Sequence, residues 1–186
     1  MNITRDDAAK ALSDIAQTEG RSRALFGYRI AGPIMMIWGV IWIVCYAAMG
    51  VTKPEQWGMV WIPADIIGIL ASMFLSFRIK SKAGATSNNL WRIMGFVALI
   101  GVFCASIFTM FRTDDVSAYL AFPGLLTGTI YAAIGLARMT RFLWVGMAVI
   151  VFTLIGYAYF PAYLTFWMAI TGGGGLLVGG FLMRRA

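Results

Sequence analysis

One carboxylate, Asp65, stands inside an apolar run of this 186-residue chain, in the segment Trp61-Ile62-Pro63-Ala64-Asp65-Ile66-Ile67-Gly68. Ionisable groups in such runs are costly and by default functional, either paired or facing a polar cavity. Proton or cation coupling is the chemistry Asp65 could do. Its place just after Pro63 also suits a helix start, where an aspartate accepts orphan backbone amides and favours the dipole. The second feature is the run Thr171, Gly172, Gly173, Gly174 and Gly175, followed by Gly179 and Gly180. Each helical glycine costs about 0.8–1 kcal/mol relative to alanine. The run therefore predicts either a broken helix whose freed carbonyls or amides contact an ion or solute, or a very close helix contact. Asp65 and Gly172–Gly175 form the candidate transport site.

Little else could do chemistry. The chain has no His, and its two cysteines, Cys45 and Cys104, lie in apolar runs where they suit packing. Nucleophile–base pairs, metal clusters and paired carboxylates need residues that are missing near one another, so catalysis, a bound metal and a cofactor are not expected. Asp114 and Asp115, beside Arg112, read as a solvated turn.

The elements that would position these residues are six apolar runs, at about 30–49, 57–77, 93–111, 116–137, 142–160 and 162–183. Crossing about 30 Å of hydrocarbon takes roughly 20 helical residues. The expected fold class is an all-α integral membrane protein of six transmembrane helices arranged as three hairpins, with a short cytoplasmic N-terminal helix. Residues 1–27 form a soluble amphipathic helix and interfacial anchor, and residues 28–186 form the bundle.

Arg5, Lys10, Arg21, Arg23, Arg29, Arg78, Lys80, Lys82, Arg92, Arg138, Arg141, Arg184 and Arg185 fall on one side of these runs, and only Lys53 and Arg112 on the other. Basic residues near span ends stay in the cytoplasm, so both termini are expected there, in a bacterial inner membrane. Topology thus accounts for the net charge of +7, and nucleic acid is not an expected partner, because the charges are spread among loops. The polar first 27 residues lack the apolar core of a cleavable signal, so the chain is expected to remain full length, with the first span as its insertion signal.

Three Arg-to-Arg hairpins, Arg29–Arg78, Arg92–Arg138 and Arg141–Arg184, can be written one under another, bringing Gly68, Gly128 and Gly174 into register. They suggest a parallel internal repeat, although membrane thickness and charge bias alone would give similar spacing. The even-numbered spans carry small residues at four-residue spacing: Ala64, Gly68 and Ser72; Gly124, Gly128 and Ala132; Gly175 and Gly179. Such faces permit close backbone approach, so these spans are expected at the centre or at an oligomer interface. Aromatics such as Trp57, Trp61, Tyr119 and Phe122 collect at the outer ends, as an interfacial belt would. A ligand pocket would use the same rings.

Near the N-terminus, Thr4 with Asp6 and Asp7 predicts a helix start and Gly20 its end. Its narrow apolar stripe includes Leu12 and Ile15, the candidate partner-docking residues.

Two function classes follow. One is a non-catalytic membrane module, a subunit or regulator that binds a protein partner or forms a homo-oligomer. The alternative is a small-solute transport component with a pocket between the hairpins near Asp65 and residues 172–175. In size and span count the chain is similar to the substrate-binding subunits of energy-coupling-factor transporters, but its first span lacks the Ala-xxx-Ala pair used there to contact a partner. Pro63-Ala64-Asp65 superficially resembles the Pro-x-acid signature of mitochondrial carriers. That match fails, because the signature belongs to odd-numbered spans and is not repeated at Pro123.

Overall fold

The structure is a computed structural model that describes residues 5–82, 90–110, 115–137 and 139–185. Thr4, Arg112, Asp114 and Arg138, used above, lie outside the described residues. Every regular element among them is helical: α1 (Arg5–Met49), α2 (Trp57–Lys82), α3 (Leu90–Met110), α4 (Val116–Ala137), α5 (Thr140–Tyr159), α6 (Leu164–Met168) and α7 (Gly174–Arg184). A single π-helical turn, Ala169–Gly173, joins α6 to α7 and makes them one continuous last helix. Five of the long helices are apolar and long enough to cross a membrane, and the third apolar run is represented by α3. Its fully described apolar stretch is Ala98–Ile107.

Prolines punctuate the turns. Pro54 and Pro161 each open a short 3-10 turn, where the missing N–H costs nothing because no helical acceptor precedes it. Pro33, Pro63 and Pro123 lie inside helices, and each leaves a carbonyl one turn earlier without its donor.

The N-terminal segment differs from expectation. Gly20 does not end a separate helix; α1 runs 45 residues without a break. A glycine alone costs about 1 kcal/mol in a helix, less than nucleating a second one, and no proline follows to stop propagation. The Arg23 guanidinium also pairs with Glu19 at 3.0 Å, one turn apart and spanning the glycine. Leu12 and Ile15 are 68% and 56% exposed, so their stripe is not docked on the chain's own bundle.

The centre also differs. The second, fourth and sixth runs do not line it together. The core joins α1, α4, α5 and the last helix, and glycines set its two tightest seams. Gly32 meets Gly180, and Gly39 meets Gly173, so α1 and the last helix run antiparallel in backbone contact. A Cβ on Gly180 would sit 2.5 Å from the Gly32 carbonyl oxygen, and one on Gly39 2.9 Å from that of Gly173. Between α4 and α5, Gly128 and Gly146 face each other's carbonyl oxygens in the same way.

On α2 only Gly68 is buried, against Trp38 and Ile41 of α1, while Ala64 and Ser72 are half-buried. Ile62, Ile66, Leu70 and Phe74 face outward. A lone glycine that accepts bulky side chains makes a hole for knobs rather than a close seam, which is why α2 stays peripheral. The glycines placed in register by the sequence have three different surroundings: side chains at Gly68, backbone at Gly128 and open space at Gly174.

Arg141 ties the start of α5 to the last turn of α7 and to the middle of α1. Its backbone N–H donates to the Tyr28 hydroxyl at 3.2 Å, its guanidinium donates to the Leu182 carbonyl at 3.0 Å, and it lies 5.5 Å over the Tyr28 ring. The Leu182 carbonyl belongs to the last turn of α7, where orphan acceptors and the dipole favour a cation. Arg141→Ala should cost about 1 kcal/mol and lower the midpoint of thermal unfolding in detergent by about 2–4 °C.

Candidate functional site

Two aromatic ladders face each other. On α1, Trp38, Trp42 and Tyr46 recur every four residues and Met49 follows three later, which puts all four on one face. On α2, Trp57, Trp61, Asp65 and Ile69 repeat the same spacing. Between the ladders, and bordered by α3 and α4, lies an open-sided cavity of about 690 Å³. Tyr119, Phe122, Pro123 and Tyr131 of α4 form the far wall, Ile100, Gly101 and Cys104 of α3 the side, and Leu176 of α7 also lines it. Four of the chain's seven tryptophans line this one space. That concentration is greater than an interfacial belt requires.

The ladders are fixed by their own contacts. Tyr46 sits edge-on between Trp42 at 5.5 Å and Trp61 at 5.3 Å. Its hydroxyl donates to the Leu120 carbonyl at 3.0 Å, next to the carbonyl that Pro123 leaves without its helical donor. The Trp61 indole N–H donates to the Met49 sulfur at 2.8 Å. Trp57 carries a buried indole N–H with no acceptor among the described residues. Buried donors are nearly always paired, so this one marks a place where an acceptor could enter.

Among the described residues Asp65 is the only charged one in the cavity lining. Among the described residues no Lys or Arg forms an ion pair with it. It does not serve as a helix cap. Helix α2 begins at Trp57, so Asp65 is its ninth residue and lies beyond the first four orphan amides. Capping is done elsewhere: Asp115 accepts the Ser117 backbone N–H at 2.9 Å before α4. The Tyr157 hydroxyl, donating at 3.0 Å, holds the Asp115 carboxyl below the usual carboxylate range, and the Ser117 and Ala118 amides add to this.

The glycine run does not reach the cavity wall. Gly172 is packed against the back of Trp42, where a Cβ would lie 2.9 Å from the indole, and Gly173 is packed against Ile43 and Gly39. Gly174 and Gly175 have nothing within 4 Å of a would-be Cβ. The run stays helical with one wide turn, and its effect on the cavity is indirect, through the seat it gives Trp42. Of the small-residue positions, Gly124, Gly128 and Ala132 line the α4–α5 seam, while Gly179 packs against Val145 and Met35. The sequence reading missed Trp38, Trp42 and Tyr46, whose four-residue spacing on α1 was the available signal, and Tyr131 of α4, for which the sequence carried none. Among the described residues no group of His, Cys, Asp and Glu is placed to hold a metal.

No protein-family model, curated protein or solved structure matches this chain significantly.

Proposed function

We propose that this protein is a six-span component of a small-solute transport system, which binds its solute in the cavity between α1, α2, α3 and α4. The observation that carries this is the cavity itself: about 690 Å³, largely apolar, with one carboxylate among aromatic rings. Small-molecule sites are usually of this kind, concave and mostly apolar with a few polar groups to fix orientation. The thirteen-to-two distribution of basic residues supports a bacterial inner membrane with both termini cytoplasmic, the chain threading it as three hairpins. Helix α3 bears on α4 through Phe103 against Phe122, with ring centres 6.4 Å apart, and a Cβ at Gly95 or Gly101 would meet nothing within 4 Å.

Gly101 offers a clean test, because it lines the cavity and a Cβ there meets nothing within 4 Å. The full-length protein, purified in mild detergent and examined by native mass spectrometry, should retain a small molecule. Gly101→Phe should fold normally and lose it. A wild-type spectrum with no retained small molecule, or one unchanged in Gly101→Phe, would remove the cavity as the site.

A second class, the non-catalytic module, is favoured by the exposed stripe of α1 at Leu12 and Ile15. The same spectra separate the two. A stoichiometric protein partner that is lost on deleting residues 2–19, with no small molecule retained, would point to the module.

A further inference from the structure

Among the described residues the only formal charge lining the cavity is negative. Trp38, Trp42, Trp57 and Trp61 surround it with electron-rich rings, Asp65 adds a carboxylate, and none of the described Lys or Arg residues lines the space to balance it. From this we infer that the ligand is a hydrophobic organic cation: an ammonium or phosphonium centre carrying apolar substituents. The inference rests on the cavity being the solute site. It names what that site would select.

Three other ligand classes fit less well. An anion would meet the Asp65 carboxylate, with the Trp57 N–H as the one orphaned donor noted in the lining and none of the described Lys or Arg residues lining it to offset the repulsion. A bare metal ion would find one carboxylate among aromatic and aliphatic groups, where hard cations require six or more oxygen ligands. A neutral solute could at most donate a hydrogen bond to the carboxylate and would leave its charge unbalanced at a depth where an ionisable side chain is expensive. An organic cation uses both the carboxylate and the rings. Its charge faces the carboxylate and the indole faces, a pairing at its strongest when water is excluded, and its apolar arms fill the rest of a space large enough for several rings. Lacking a tight hydration shell, it enters such a site at much lower desolvation cost than an inorganic ion of the same charge.

Tetraphenylphosphonium and tetraphenylborate have the same shape and opposite charge, which makes them the matched probes. Quenching of intrinsic tryptophan fluorescence in detergent-solubilised full-length protein would report binding of each. The expected result is that the cation binds at least about tenfold more tightly than the anion. Asp65→Asn should abolish most of that preference, and Asp65→Glu should restore it, which separates loss of charge from loss of fold. Equal affinity for the two ions, binding of neither, or a preference unchanged in Asp65→Asn would overturn the inference. Gly101→Phe distinguishes its failure from failure of the site. If that variant blocks both ions and the protein shows no sign preference, the cavity stands and the cation assignment falls. If it blocks neither, the probes lie elsewhere and both fall together.

Discussion

Gly180→Leu should prevent α1 from packing against the last helix and leave little monodisperse protein. A Cβ at this position would sit 2.5 Å from the Gly32 carbonyl oxygen and 2.7 Å from Met36. Neither helix can yield locally, because the obstruction is backbone. A leucine would have to push the axes apart, and the second contact seven residues away, Gly39 on Gly173, would open with the first. Overpacking a well-filled core typically costs 1–3 kcal/mol, and backbone obstruction at the centre of the bundle should cost about 3 kcal/mol or more. Thermal unfolding followed by size-exclusion chromatography should show a midpoint at least about 6–12 °C lower, or no folded peak. Gly174→Leu is the control: same helix, open surroundings, and an expected midpoint at or slightly above that of the parent. A Gly180→Leu protein as stable as its parent would mean that the seam is not where the bundle is held.

The second large effect should come from within the glycine run and should spare the fold. Gly172→Val places branched carbons against the Trp42 indole, which already lies 2.9 Å from a would-be Cβ. Trp42 is buried and has one direction to move, into the cavity, where it would disturb Tyr46 and Trp61 in turn. Solute binding should fall by about tenfold or more, equivalent to roughly 1.4 kcal/mol, while the unfolding midpoint drops much less than in Gly180→Leu. Gly175→Val, three residues on with nothing to strike, should leave binding unchanged. Similar binding losses in both variants would show that the run acts through its own backbone and not through the seat of Trp42.

The helical spans could be read from the chain because their cause is local. Continuous apolar residues between charged turns specify a helix whatever its neighbours, and α4 covers the same residues, Val116–Ala137, as the apolar run. Which helices meet is not local, and there the sequence misleads. Four-residue spacing of small residues drew attention to Ala64, Gly68 and Ser72, yet the α1 seam is built on seven-residue spacing, Gly32 with Gly39 and Gly173 with Gly180. An antiparallel pair brings its faces together once every two turns, so the longer period was the relevant one. Asp65 was legible as the single acid in an apolar run. Its surroundings were not, because Trp57, Trp61 and Tyr119 look the same in a belt and in a pocket until Trp38, Trp42 and Tyr46 are set opposite them. Gly20 was misread for a related reason: a glycine marks a helix end only where the residues after it stop helping, and Arg21–Leu25 continue the helix.

The unbroken course of α1 has a mechanical consequence. At 1.5 Å per residue, the 30 residues between Trp42 and Leu12 span about 45 Å of hydrogen-bonded rod. Of these, Gly20, Gly27, Gly32, Pro33 and Gly39 depart from ordinary helix formers, and none breaks the helix. Such a rod works as a lever with its fulcrum at the Gly32 and Gly39 contacts. A tilt of about 5° about that fulcrum moves Leu12, about 30–40 Å away, by about 3 Å, enough to shift Leu12 and Ile15 against any surface they touch.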